Sequence, residues 1–328
     1  MSFSVALCTY NGAAYIVEQL QSIVSGSVPP EEIVVCDDRS ADDTVGIVSE
    51  FARSSAVPIR LEVNDVNLGY VKNFEKAVLL CRAPIVFLSD QDDVWNHDKA
   101  ETILGRFADP DVGGVFSDAA LVNADLSPMG KTMFSELLSA KQRKQLLTND
   151  PDEVFRFLLA RPVVTGATMA FRRSLVEALL PVPESRFFIH DGWLALAIAA
   201  VSSLVVIERP LIAYRQHPTQ QIGMPKAAQG KDEIPEEEHR ARYPTLRRDY
   251  ARLYDELRMS LLSRCEIRPG ARRLIDDAIA HNRVRLSLAN RTGSRPFAIL
   301  KEIVSGRYAR YSSGALSAAS DLVRPQRP

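Results

Sequence analysis

Four cysteines in 328 residues, none in a C-x-x-C pair, weigh against a disulfide framework and against a cysteine-built zinc site. Cys8, Cys36 and Cys81 lie in or beside apolar segments and read as small core residues of a reduced, cytoplasmic protein. No apolar run approaches the ~20 residues that a membrane-crossing helix needs. The opening MSFSVALCTYNG lacks a basic n-region and enters a strand at once, so no secretory signal is expected. A G-x-G-x-x-G turn is missing after that strand, which weighs against a dinucleotide-binding domain. Net charge is almost absent too, with 40 Lys and Arg against 41 Asp and Glu.

The charge that exists is unevenly placed. Residues 1–224 hold 19 basic and 28 acidic side chains, whereas residues 225–328 hold 21 and 13. An acidic body joined to a basic C-terminal part suggests two jobs, the second including contact with an anionic surface. Met224–Glu238 is rich in Pro, Gly, Lys and Glu, the composition of a boundary. Two regions are therefore expected, 1–223 and 224–328, the latter helical with breaks near Pro269, Gly293 and Gly306.

In the first region, short β-branched runs alternate with amphipathic stretches. Strands are expected at Ser4–Thr9, Glu32–Asp37, Ile59–Val63, Ile85–Ser89 and Gly114–Phe116. Helices are expected at Ala13–Val24, Thr44–Ala52, Val71–Leu80 and Lys99–Phe107. This alternation predicts βαβ units and an α/β fold with a mostly parallel central sheet flanked by helices. Leu126–Asn149 reads as a polar loop with a short helix. Leu204–Ile207 and Leu211–Tyr214 read as a closing pair of strands.

The stretch Ser89-Asp-Gln-Asp-Asp93 carries the most chemistry. Three carboxylates at the end of a buried strand have no use in a core, where each unpaired charge costs several kcal/mol. Oxygen ligands on a strand-terminal turn suit Mg²⁺ or Mn²⁺ holding phosphate oxygens. The carboxyl ends of strands are also where open α/β sheets bind ligands. Thr9-Tyr10-Asn11-Gly12 and Asp37-Asp38-Arg39-Ser40 end neighbouring strands and suit a nucleobase and ribose, although the second also reads as an Asx cap. Lys72 follows a polar loop at a helix start and reads as a diphosphate contact or a surface lysine. His190-Asp191, between Phe188 and Trp193, offers a carboxylate that desolvation would raise, useful in a general base, or else a helix cap. His217 reads as a metal or phosphate ligand, or as a structural histidine.

The order TYNG, CDDRS, NLGYVKNF, FLSDQDDVW, VTGATMAFRR, FIHDGWLAL, YRQH resembles family 2 glycosyltransferases of the GT-A fold, over about residues 3–220. It is most similar to bacterial rhamnosyltransferase-like enzymes that build cell-surface polysaccharides. The resemblance implies a nucleotide-sugar-binding half at 1–120, an acceptor half at 121–223, and 224–328 as an extension. By it, Asp38 contacts the pyrimidine, while Thr9, Tyr10 and Asn11 line the base and ribose. Asp90, Gln91 and Asp92 form the DxD-type motif, with Asp92 on the divalent metal and Asp90 toward the ribose or the metal's water shell. Lys72 is placed near the diphosphate, His217 near the metal, Asp191 as the base, and His190 and Trp193 on the acceptor side. The implied partners are a dTDP- or UDP-sugar donor and a glycan or lipid-linked oligosaccharide acceptor, with no nucleic acid. For the basic C-terminal helices, Phe297–Val304 followed by Arg307, Tyr308, Arg310 and Tyr311 suggests either contact with the inner membrane surface or packing, including a homodimer contact. A sugar nucleotidyltransferase and a non-catalytic sugar-binding homologue are the competing functions.

Overall fold

The computed structural model describes residues 1–161, 163–184, 189–220, 252–288, 294–312 and 314–323. The chain divides into two compact units, residues 1–154 with 163–224 and residues 155–162 with 225–328. The expected boundary Met224–Glu238 lies outside the described residues. Assignment of 155–162 to the second unit was not foreseen from the sequence.

The first unit is built on strands β1 (Phe3–Thr9), β2 (Glu32–Asp37), β3 (Ile59–Val63) and β4 (Ile85–Ser89). Helices α1 (Ile16–Val24), α2 (Thr44–Ser54) and α3 (Tyr70–Leu80) connect them. All three pairings among these strands are parallel, with Thr9 beside Asp37 and Leu7 beside Ser89. β1 and β4 are buried at every position, as the continuous apolar runs of a sheet covered on both faces require. The parallel register brings the loops after β1, β2 and β4 to one edge.

Beyond β4 come the two-residue β5 (Val94–Trp95), α4 (Lys99–Arg106), β6 (Val112–Asn123) and β7 (Pro128–Thr132). Three helices follow, α5 (Met133–Leu137), α6 (Ala140–Leu146) and α7 (Pro151–Ala160), then β8 (Met169–Arg172), α8 (Val176–Leu179), α9 (His190–Val201) and β9 (Ser203–Gln216). The sheet order is β3-β2-β1-β4-β8-β6-β9-β5, with β7 on β6. β8 runs antiparallel between β4 and β6, and β5 runs antiparallel to β9. Two expectations are corrected here. The polar stretch 126–149 is ordered as β7, α5 and α6, with capping boxes at Thr132/Ser135 and Ser139/Gln142. The expected closing pair of strands is one 14-residue strand, β9, lying parallel to β6. The β6–β9 register shifts between Ser117 and Asp118, opposite the Ile207–Pro210 stretch, so Pro210 falls where the ladder is already irregular.

In the second unit the described helices are residues 252–262, α10 (Pro269–Ser287), α11 (Arg295–Val304), α12 (Arg307–Tyr311) and α13 (Ala315–Val323). Leu288, Ala298, Ile299, Tyr308 and Ala318 form their shared core. Pro269 opens a helix, where its missing N–H costs nothing. Among the described residues no helix is long and apolar enough to cross a membrane.

Candidate active site

At the sheet edge where β1, β2 and β4 end lies a cleft of about 810 Å³ of empty space, its open mouth included. Thr9, Tyr10, Asp38, Asp90, Gln91, Asp92, His190 and Asp191 all line it. Asp90 and Asp92 of the β4 turn and Asp191, 99 or more residues later in the chain, thus face one space.

The loops that form the cleft floor are tied by side-chain amides and carboxylates. Gln91 accepts from the Tyr10 N–H at 2.8 Å and donates to the Tyr10 carbonyl at 3.1 Å. This two-point clamp requires a bare backbone at Gly12, where a Cβ would stand 2.1 Å from Gln91 Oε1. The Thr9 hydroxyl donates to Asp37 at 2.7 Å, and Asp37 also accepts from Ser40. Asp38 accepts from the N–H groups of Leu68 (2.7 Å) and Gly69 (2.8 Å) and from Asn64 (2.9 Å). Gly69, at φ 78°, takes the left-handed turn that starts α3. Asp38 therefore organises the loop before α3, and its Oδ2, with one described partner, keeps an acceptor lone pair for a ligand.

Three assignments are corrected. Lys72 is absent from the cleft wall and pairs with Glu75 at 3.0 Å. Helical spacing turns Tyr70, Asn73 and Phe74 toward the cleft, and Lys72 lies off that stripe. Trp193 is fully buried, its indole N–H donating to the Leu179 carbonyl at 2.6 Å, because α9 is enclosed on every side. Asn11 is exposed at φ 52° and bridges to the next loop, its N–H donating to Ser40 and its side-chain oxygen accepting from Ala41. Phe188 lies outside the described residues. The sequence reading also missed Tyr70, Asn73, Phe74, Thr165, Gly166 and Tyr214 in the wall. The i, i+3, i+4 stripe of Tyr70, Asn73 and Phe74 was visible in the sequence, but nothing in it distinguished a cleft wall from a core face.

Electrostatics single out the β4 turn. Burial first, then Asp92 and Asp191, push the Asp90 carboxyl up to about 7, against the opposing pull of Lys99. Burial, followed by Asp92 and Asp90, raises Asp93 well above the carboxylate range. Asp93 Oδ1 accepts from the Arg215 N–H at 3.1 Å, whereas its buried Oδ2 has no partner among the described residues. Lys99, itself fully buried and held well below the usual lysine range by that burial, donates to the Ala167 carbonyl at 2.7 Å. Arg215 donates to the Asp92 carbonyl at 2.7 Å and pairs with Glu18. His190 is lowered by burial, stacks on Phe74 at 4.3 Å, and keeps a buried Nδ1 without a partner among the described residues.

His217 Nε2 lies 2.8 Å from Asp92 Oδ2, and its Nδ1 lies 2.9 Å from the Thr219 hydroxyl. Adjacent ligands on an octahedral ion with bonds of about 2.1 Å stand about 3 Å apart, so this pair fits a divalent cation. The Thr219 contact would fix the ring's orientation. Among the described residues no three His, Cys, Asp or Glu side chains form a ready-made cage. The crowded carboxylates and the orphaned Asp93 oxygen fit a cation as well.

Asp191 sits in the first turn of α9. Its Oδ2 accepts from the Gly166 N–H at 3.2 Å and its Oδ1 from the Gly192 N–H at 2.7 Å. A negative side chain is favoured at this end of a helix. Lys99 and Gly166 link the two acidic centres: the lysine grips the carbonyl of Ala167, next to the peptide that holds the Asp191 carboxylate.

Known proteins are similar to this chain. The chain is 28% identical over 229 residues to the dTDP-rhamnosyl transferase RfbG of Shigella flexneri, covering 66% of this chain and 73% of that one. It is 24% identical over 224 residues to an uncharacterized glycosyltransferase of Nostoc sp., covering 66% and 65%. With the O-antigen chain rhamnosyltransferase RfbN of Salmonella typhimurium it shares 23% over 195 residues, covering 60% of each chain. The match therefore spans between about three-fifths and three-quarters of these relatives' own lengths. Among solved structures, S. aureus TarS 1-349 in complex with UDP matches at TM-score 0.58 and 17% identity, covering 99% of this chain and 88% of that one. The mannosyltransferase PcManGT of Pyrobaculum calidifontis, in complex with GDP-Man and Mn²⁺, matches at TM-score 0.50 and 20% identity, covering 98% and 78%. These likenesses show a GT-A-like fold. The family model for glycosyl transferase family 2 matches residues 4–180, more than half of the chain, and the chain belongs to that family.

Proposed function

We propose that this protein is an inverting, metal-dependent glycosyltransferase. It moves a sugar, L-rhamnose in the favoured case, from a dTDP- or UDP-sugar to a hydroxyl of a glycan or lipid-linked acceptor in cell-surface polysaccharide synthesis. The observation that carries the reading is one cleft lined by the β4 carboxylates, the β1 and β2 loops, and Asp191.

Asp92 and His217 would hold the divalent ion, which when bound supplies positive charge against the diphosphate. The protein's own residues do the rest. Thr9, Tyr10 and Asp38 form the nucleoside end of the cleft, and Gln91 fixes the Tyr10 peptide there. Asp191 takes the proton from the acceptor hydroxyl as that oxygen attacks the anomeric carbon, on the face opposite the departing nucleoside diphosphate. A positioned base of this kind is worth about 10²–10⁴-fold. The peptide N–H groups of Gly166 and Gly192 orient its carboxylate. The dTDP-rhamnosyl transferase and the O-antigen rhamnosyltransferase among the relatives support the choice of sugar.

Asp191→Asn tests the assignment. The variant is expected to keep the donor- and Mn²⁺-dependent rise in melting temperature that binding produces. Transfer should fall by about 10²–10⁴-fold. Transfer at the wild-type rate would remove Asp191 from the role of base. A panel of nucleotide sugars in the same melting assay identifies the donor.

A further inference from the structure

The polarity of two helices in the second unit is inverted. α11 and α13 turn their charged groups inward and their large apolar groups outward. Glu302 on α11 and Asp321 on α13 are buried. Glu302 meets His281 at 2.8 Å, and Asp321 meets Arg285 and the Tyr308 hydroxyl, each at 2.8 Å. Outward stand Phe297 (73% exposed), Leu300, Ile303 and Val304 (81%) on α11, with Leu316 (79%) and Val323 (77%) on α13. Lys301 is the charged residue among the exposed positions of these two helices. Scattered exposed apolar residues need no explanation, but an apolar stripe on each of two neighbouring helices marks an interaction site.

Charge selects the partner. Residues 269–328 hold 11 Lys and Arg against four acidic residues. All four acids are engaged inside the unit: Asp276 by Arg258, Asp277 by Arg307, and Glu302 and Asp321 as above. Arg283, Arg285, Arg307 and Arg310 are paired in turn, which leaves the exposed Arg272, Arg273 and Lys301 among the described residues for an external anion. A second copy of the same face would bring two such excesses together. An anionic bilayer surface offers both an apolar layer for the side chains and negative headgroups for the cations. No described helix could cross that bilayer, so α11 and α13 would lie in its interface.

We infer that the outward face of α11 and α13, centred on Phe297, Leu300, Val304, Leu316 and Val323, is a docking surface for an anionic lipid membrane. From the sequence, Arg307, Tyr308, Arg310 and Tyr311 suggest either such a contact or packing. Those four are excluded from it, since the tyrosines are buried and both arginines pair with Asp277. The apolar stripe of α11 and the new stripe of α13 carry the surface. It deepens the proposed function by bringing the enzyme to a lipid-linked acceptor.

The test is sedimentation of the full chain with vesicles of phosphatidylcholine containing about 30% phosphatidylglycerol, alongside phosphatidylcholine alone. Binding is expected to the anionic vesicles and to weaken as salt rises. The triple variant Phe297→Ser/Val304→Ser/Leu316→Ser should lower it by about tenfold or more, with an unchanged melting temperature. Lys301→Glu, which keeps the apolar stripe, should weaken it by a smaller factor. Absence of vesicle binding by the unaltered chain, or binding that the triple variant retains, overturns the inference. So does a self-associated chain that the substitutions turn monomeric, which assigns the face to a second copy. A fall in melting temperature in the triple variant assigns it instead to another segment of the chain. Donor hydrolysis in the same samples reports on the cleft separately, so failure of docking and failure of the proposed activity are told apart.

Discussion

Asp90 combines two conditions that rarely coexist in a stable fold. It sits with Asp92 and Asp191 on one cleft, and burial together with those neighbours pushes its carboxyl up to about 7. In the unfolded chain it ionises near ~3.9. The folded value is the higher one, so the stability it contributes is full below about 4 and is lost as pH rises toward about 7. At pH 8 without metal, the folded site therefore holds a repelling carboxylate. Asp90→Asn is expected to raise the melting temperature of the chelator-treated protein at pH 8 by roughly 2–4 °C. The same change should reduce metal-dependent donor binding. An unchanged or lowered melting temperature would show that Asp90 is not under electrostatic strain. The carboxylate cluster was legible in the sequence because SDQDD is contiguous, whereas Lys99 and the Gly166 peptide were not. Their relation to the acids exists only once β4, α4 and the turn before β8 are folded together.

At the scale of elements, the loop after β1 and the turn after β4 meet through one amide. Gln91 makes two hydrogen bonds to the Tyr10 peptide, and the space for its side chain exists because residue 12 has no Cβ. Gly12→Ala must push that amide aside, and Gln91→Leu removes it. Each substitution should raise the KM for donor by the equivalent of about 1–2 kcal/mol, the net worth of two such bonds. Because both act on one contact, the double variant should cost little more than the worse single one. Additive losses would show that Gly12 and Gln91 act separately. From the sequence the strands β1 to β4 could be placed to within a residue or so, since β-branched runs alternate with helices at steady spacing. The loop contacts could not: Gln91 and Tyr10 are 81 positions apart. Lys72 and Trp193 failed for a related reason. Each has the right chemistry, but helix rotation decides which face it joins, and periodicity alone left that open. The polar segment 126–149 failed because its order comes from capping boxes and short elements, which weak hydrophobic patterning conceals.

Across the whole chain, the two units carry different sets of buried titratable groups. The first holds carboxyls raised by burial at Asp90, Asp93 and Asp118, together with His190 and Lys99, which burial lowers. The second holds His281, lowered mainly by burial, with its Nδ1 2.8 Å from Glu302. The charge division between residues 1–224 and 225–328 was plain in the sequence, but the burial of Glu302 and Asp321 in the second part was not. For a raised carboxyl the folded state holds its proton more tightly, so acid favours folding until both states are protonated. For a lowered histidine the unfolded state takes the proton first, so stability is full above ~6.5 and is lost as pH falls below it. Lowering the pH of the metal-free protein from about 8 to about 5 should therefore move the turn after β4, where the raised carboxyls cluster, and α10, which carries His281, in opposite directions. Hydrogen exchange, corrected for its intrinsic pH dependence, should slow in peptides of β4 and the following turn and quicken in peptides of α10 and α11. Saturating Mn²⁺ should remove most of the first trend and leave the second, since on the proposed function the ion binds at the cleft carboxylates. Parallel trends in both units, or a Mn²⁺ effect on α10, would show that the buried acids and the buried histidine do not govern their own units.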